Sequence, residues 1–249
     1  MSVTIADNIA RVRDQIAAAC ARAGRSPDQV TLIAVSKTHP ADDLMAAAAA
    51  GVQHFGENRV EESSIKIPQV QARLDAPVTW HMIGHVQSRK AKEVVPLFDT
   101  VHSIDTLRLA EKLARAALDA DKTLAAFVEI NVSGEASKSG VAAYNWQDDA
   151  EVRAALIETL GAIVALPGLQ VRGLMTMAPL TDDVEAARPV FASLAALRDW
   201  IAERIGVSLP ELSMGMSDDF PVAIEQGATL VRVGRAIFGE RAVQENWRR

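Results

Sequence analysis

Eight short β-rich runs alternate with helical stretches along this chain, and the alternation limits the folds open to it. The runs are VTLIAVS (30–36), VQHFG (52–56), VTWHMIG (78–84), TVHSI (100–104), LAAFVEINV (124–132), LQVRGLMTM (169–177), PELSMG (210–215) and ATLVRVG (228–234). Between them lie helical stretches such as ADDLMAAAAA, VQSRKAKEVVPLF, DTLRLAEKLARAALDADK, DAEVRAALIETLGAIVAL and DVEAARPVFASLAALRDWIAERIG. Such alternation calls for parallel strands joined by crossover helices. Eight units in 249 residues is the size of a (β/α)8 barrel. A doubly wound open sheet usually has fewer strands and opens on a Gly-rich turn. Neither GxGxxG nor GxxxxGK[ST] occurs, so the signals for dinucleotide and P-loop binding are missing.

The opening ADNIARVRDQIAAACARAG places Ile9, Val12, Ile16 and Cys20 at three- and four-residue spacing before Gly24, which reads as an extra N-terminal helix with a glycine stop. No linker, repeat or composition shift breaks the chain. With 49% hydrophobic residues it can bury one large core, so residues 1–249 are expected to form a single α/β domain of TIM-barrel type. A net charge of −6 argues against nucleic-acid or acidic-membrane partners. One cysteine, Cys20, allows no internal disulfide, and no CxxC or Cys/His cluster suggests a metal. The N-terminus lacks an apolar signal core, and no apolar run approaches the ~20 residues of a membrane helix. A cytoplasmic protein is the expectation.

In a barrel, chemistry sits where strands end and βα loops begin. There the polar residues gather: Ser36-Lys37-Thr38, Glu57-Asn58-Arg59, Gly84-His85, Ser103 and Asp105, Asn131 to Gly134, Met175-Thr176-Met177, Ser213 to Asp219, and Arg232 to Ala236. The opposite loops, RSPDQ, LDAP, LPG and GVSLP, read as ordinary turns. His81 and His102 fall inside strand runs and read as packed or solvent-facing residues. Met175, Met177, Met214 and Met216 suit either core filling or soft walls around a flat ring.

Lys37 closes a run that otherwise reads as a buried strand. Desolvating an ammonium is costly, so its amine either reaches solvent past the strand end or serves as a neutral nucleophile. SMGMSDDF after the seventh run and GRAIFGE after the eighth combine glycines with helix starts, and backbone N–H groups there can approach an anion. In a closed barrel the first and eighth strands are neighbours. An aldehyde carrying a phosphate would bridge them; pyridoxal 5′-phosphate and a sugar phosphate are both such molecules.

Seven blocks carry a resemblance to a known family: AVSKTHP, FGENRVEE, WHMIGHVQSRK, VHSIDTLRLAEKL, INVSGEASKSGV, VRGLMTMAP and LSMGMSDDFPVAIEQGATLVRVGRAIFGER. In order, from about residue 5 to 241, they resemble the YggS/PROSC family of pyridoxal phosphate homeostasis proteins. The resemblance implies the fold of the alanine racemase N-terminal barrel, with Lys37 as the Schiff-base lysine. It implies a phosphate cradle from Ser213, Met214, Ser217, Gly234 and Arg235, Arg232 beside the pyridine nitrogen, and Asn58 and Met175 along the ring. Met82, Val86, Arg89 and Arg235 depart from the family's usual phenylalanine, leucine, asparagine and threonine and bear on fine ligand preference.

Arginine offers only donors and is always protonated, so beside the ring it favours an unprotonated nitrogen and a weak electron sink. Racemisation also needs a second base; alanine racemase takes a tyrosine from the β-domain of a partner subunit. The only tyrosine here is Tyr144, which reads as a rim residue, and the sequence ends soon after the eighth run. The expectation is a monomeric carrier without catalytic residues that passes pyridoxal phosphate to apo-enzymes. A weak racemase acting through Lys37 is the alternative.

Overall fold

A computed structural model describes residues 3–179 and 181–240. Helix α1 (Ile5–Arg22) starts at a reciprocal cap: Thr4 Oγ1 accepts from the Asp7 N–H, and the Asp7 carboxylate accepts from the Thr4 N–H. Its stripe of Ile9, Val12, Ile16 and Cys20 is buried, as the spacing predicts.

Strand and helix then alternate: β1 (Thr31–Val35), α2 (Ala41–Ala49), β2 (His54–Glu57), α3 (Val60–Gln71), β3 (Thr79–Met82), α4 (Ala91–Val94), β4 (Thr100–Ile104), α5 (Leu107–Asp119) and β5 (Leu124–Asn131). A two-residue strand β6 (Val141–Ala142) pairs beside β5, followed by α6 (Ala150–Val164), β7 (Leu169–Met175), α7 (Arg188–Ile205), β8 (Glu211–Ser213), α8 (Phe220–Glu225), β9 (Leu230–Val233) and α9 (Arg235–Phe238). Every pairing is parallel. β1 lies between β2 and β9, and β4 pairs with β5, which closes eight strands into a barrel with β6 as an appendage. The expected (β/α)8 architecture with an added N-terminal helix is the one observed. No helix among the described residues is long and apolar enough to cross a membrane.

Local differences from the sequence reading have physical causes. The run 210–215 gives only three strand residues, because Gly215 turns to φ +95°. The stretch 86–98 yields a 3-10 turn (Ser88–Lys90) and the single turn α4, since Pro96 supplies no N–H to extend it. Helix α3 forms although it contains Pro68, which falls in its last turn. Gly173 lets β7 and β8 approach: a Cβ there would lie 1.8 Å from the Glu211 carbonyl oxygen.

The apolar residues divide into two layers. The larger lies between the sheet and the helices. Inside the barrel, Ile33, Phe127, Met175 and Leu230 form a small separate cluster with Met177 packed on it. The rest of the lumen holds polar side chains, among them His81, His102, Ser213 and Arg232, all buried.

Candidate functional site

The site is assembled at the carboxyl ends of β1, β8 and β9. Past β1 the chain makes a tight turn in which Thr38 adopts φ +67°. Two residues of α3 clamp this turn. Lys66 Nζ donates to the carbonyl oxygens of Ser36 (2.9 Å) and His39 (3.2 Å), and Glu62 accepts from the Thr38 N–H (2.7 Å). Lys66 also meets Glu57 Oε1 at 2.9 Å and Glu62 Oε1 at 2.6 Å, while Ser36 Oγ donates to Glu57 Oε1 at 2.6 Å. Glu57 is fully buried, and burial pushes its carboxyl above the usual range, opposed first by the Lys66 charge. Lys37, half-buried, is thus carried on a turn held from below by a buried ion pair.

Across from it, the loops after β8 and β9 interlock. Gly215 needs its positive φ, and a Cβ there would come within 2.8 Å of Phe220 Cα. The Asp219 carboxylate accepts from the Met216 N–H at 2.5 Å. Two backbone amides, of Gly234 and Ala236, converge on one oxygen, Ser217 Oγ, at 3.3 Å each. Lys37, His39, Gly234 and Arg235 line a common cavity of about 370 Å³. The Arg235 side chain is exposed at its rim and is ion-paired with Asp218.

Beneath the mouth lies Arg232. Its Nη1 donates to the Ser213 carbonyl (2.8 Å) and Oγ (2.6 Å), and its Nη2 to the Thr176 carbonyl (3.0 Å). Burial lowers its pKa to about 10, with Asp219 and Glu129 pulling the other way, so it stays charged at neutral pH. Glu129 is itself buried, and desolvation, reinforced by Asp105, raises its carboxyl. Asn58 holds a buried Oδ1 with no hydrogen-bond partner among the described residues. Gly84 packs directly on it, where a Cβ would sit 2.3 Å from the Asn58 carbonyl oxygen.

The expected site residues therefore separate into groups. Lys37, Gly234 and Arg235 share the mouth cavity, with Ser217 holding the Gly234 turn. Arg232 and Ser213 are bonded to each other lower down, and Met175 lies in the luminal cluster. Met214 is not brought to the mouth: its side chain packs in the helix-side core and its N–H donates to the Leu230 carbonyl. Tyr144 is exposed and covers Gly134, in keeping with a rim position. The sequence does not single out Lys66, Glu129 or His54; it reads His81 and His102 as packed or solvent-facing, and both are buried.

Those histidines are hydrogen-bonded in series. His54 Nδ1 meets His81 Nε2 at 3.0 Å, His81 Nδ1 meets His102 Nε2 at 2.9 Å, and His102 Nδ1 meets Ser213 Oγ at 2.8 Å. Burial pushes His81 down to about 3 and His102 well below its ordinary value. Both must gain a proton on unfolding below pH ~6.5, so each contributes stability that falls as the pH drops through that value, by about 1.4 kcal/mol per unit. The raised carboxyls of Glu57, Glu129 and Asp219 act in the opposite sense. A difference measurement cancels them: the stability deficit of His81→Phe in urea should shrink as the pH falls from 6.5 to 4.5. A pH-independent deficit would mean that His81 titrates normally.

Comparison with known proteins follows the geometry. The alanine racemase N-terminal domain family matches residues 8–242. A pyridoxal phosphate homeostasis protein of Pseudomonas aeruginosa is 43% identical over 239 residues, covering 96% of each chain. PipY of Synechococcus elongatus, solved with PLP bound, superposes with a TM-score of 0.78 at 36% identity, covering 95% of this chain and all of that one. Alanine racemase of Clostridium difficile shares the fold, with a TM-score of 0.66 at 14% identity over 94% of this chain and 57% of its own.

Proposed function

This chain belongs to the pyridoxal phosphate homeostasis proteins built on the alanine racemase N-terminal domain, and from that premise we propose that it holds pyridoxal 5′-phosphate at its barrel mouth and passes it to apo-enzymes in the cytoplasm. It acts as one binding unit over residues 1–249 and as a monomer. One observation carries this reading: Lys37 and the Gly234–Arg235 turn, on neighbouring strands, line the same cavity.

The residues present suit the group. Its phosphate needs N–H donors aimed at one point, and the amides of Gly234 and Ala236 already converge on an oxygen, Ser217 Oγ. The ring nitrogen needs a partner in the lumen, and Arg232 is a buried cation there. The unpartnered Oδ1 of Asn58 is a polar atom in want of a contact, and Met175 offers an apolar wall. When bound, pyridoxal phosphate supplies an aldehyde that a lysine amine takes up with loss of water. Lys37 provides that amine; the clamp from Lys66 and Glu62 orients it. Ser217, Gly234 and Arg235 hold the phosphate end. Ser213 serves Arg232 rather than the phosphate, and Met214 has no donor left to give.

Arg232 can only donate, so a ring nitrogen held against it would stay unprotonated and the ring would be a weak electron sink. That supports a carrier over an amino-acid enzyme. Mixing the loaded protein with a pyridoxal-phosphate-dependent apo-enzyme should restore that enzyme's activity. Incubation with each common L-amino acid should give turnover far below the usual kcat range of ~1–10³ s⁻¹. Steady racemisation in that range, lost in Lys37→Ala, would make the protein an enzyme instead.

A further inference from the structure

The line of histidines crosses the lumen diagonally. His54 is level with Thr79 across the β2–β3 pairing, and His81 with Thr100 across β3–β4, so each next histidine stands two residues higher than its predecessor's partner. The stagger of a closed barrel brings these side chains into contact. At the top, His102 is stacked on Phe127 (centroids 4.5 Å apart, planes at 19°), which fixes its ring plane, and it meets Ser213, which accepts from Arg232. At the bottom, His54 lines a cavity of about 420 Å³ at the amino ends of the strands, with Asp28, Arg172 and Glu211.

The top end sets the direction of every proton in the line. A guanidinium has donors and no acceptor. Arg232 Nη1–H occupies one lone pair of Ser213 Oγ, and among the described residues the Ser213 hydroxyl proton has one ring nitrogen to go to, His102 Nδ1. With the Ser213 hydroxyl proton donated to His102 Nδ1, the His102 proton sits on Nε2 and is donated to His81 Nδ1. His81 likewise donates from Nε2 to His54 Nδ1, and His54 Nε2–H faces the basal cavity.

We infer that His54, His81 and His102 stand as neutral Nε2–H tautomers aligned from Arg232 to the base of the barrel, and that this aligned line positions Arg232. Each ring turns its electron-rich Nδ1 toward the cation and its N–H away, so three neutral dipoles support a buried charge whose hydrogen bonds go to carbonyls and a hydroxyl. Protonation at His102 would place a second positive charge beside Arg232. Burial and the neighbouring charges oppose it: Arg232 and His81 both lower His102, and His54 lowers His81. At the base, burial lowers His54 while Glu211 raises it. The line exists whatever occupies the mouth. Only its consequence for a ring nitrogen rests on the pyridoxal phosphate reading.

The test uses ligand-free, full-length protein labelled with ¹⁵N-histidine, followed by ¹⁵N–¹H correlation spectra between pH 5 and 8. His81 and His102 should each show a protonated Nε2 and a bare Nδ1 throughout, without titrating. His54→Gln should keep this pattern, because the amide oxygen accepts from His81 and the amide NH₂ faces the cavity. His54→Leu fills the same space but has no acceptor, so the two ¹⁵N signals of His102 should move toward each other as a second tautomer becomes populated. A packing role alone would make leucine as good as glutamine. His102 found as the Nδ1–H form or charged, or unchanged in all three proteins, would overturn the inference. Should His54→Leu not fold, the tautomers of the wild type and His54→Gln still decide it. Failure of either protein to take up pyridoxal phosphate, with the tautomers as stated, would count against the ligand reading and leave the line intact.

Discussion

Lys37→Ala should lose all pyridoxyl label fixed by borohydride, while the unaltered protein yields a single labelled peptide spanning residue 37. The expectation rests on placement. β1 delivers Lys37 to the cavity shared with Gly234 and Arg235, on a turn whose backbone is pinned at Ser36, Thr38 and His39 by Lys66 and Glu62. Covalent capture needs an amine within reach of the aldehyde for as long as the phosphate is held, and the pinned turn supplies that proximity. The ammonium of Lys66, another lysine of this region, meets two carbonyls and two carboxylates under the turn. Removal of Lys37 leaves the convergent amides and Arg232 in place, so weak binding that borohydride does not fix to the chain should persist. Label recovered on Lys66 or Lys138, or an unchanged absorption band in Lys37→Ala, would displace Lys37 from its assigned role.

The residues that could be read in advance are those whose meaning is local. Lys37 stands out because an ammonium ends an apolar run, and Gly215 and Gly234 because glycines recur where strand gives way to helix. The (β/α)8 order was legible for the same reason, since period-two and helical patterns alternate along the chain. The luminal line was not legible. Alternation tells that His54, His81 and His102 each point to one face of a strand, but their contact depends on the register between strands 27 and 21 residues apart. Met214 shows how sequence neighbours part in space. It sits between Ser213 and Gly215, close in sequence to the phosphate turn, yet alternation sends its side chain outward to the helices and the sheet uses its N–H. Lys66 sits in EESSIKIPQ, a run with no local sign of burial; only the fold reveals that it is buried against Glu57.

That buried pair carries the second large effect. Lys66→Met should destabilise the protein by about 3–5 kcal/mol, the usual cost of removing one partner of a buried ion pair. Against the 5–15 kcal/mol typical of a folded domain this is a substantial fraction. The cause is Glu57, which would keep the Ser36 hydroxyl but lose its cation in a place with no access to water. The pH dependence separates this from loss of packing. Burial already raises the Glu57 carboxyl and Lys66 opposes it, so without Lys66 the folded-state pKa climbs further above its unfolded value of about 4.5. A raised carboxyl costs nothing while both states are protonated, and costs more as the pH rises from 4.5 through the folded value. Urea unfolding should therefore give a larger deficit at pH 8 than at pH 5. Adding Glu57→Gln to Lys66→Met should recover part of the deficit, since the charge left without a partner is then gone. The turn that bears Lys37 should loosen as well, because the Ser36 and His39 carbonyls lose their donor, so borohydride labelling of Lys37 should fall in a residue that never touches the cofactor. A deficit below about 1 kcal/mol that is the same at both pH values would show that Glu57 is neutral in the native protein and that Lys66 does no more than fill space.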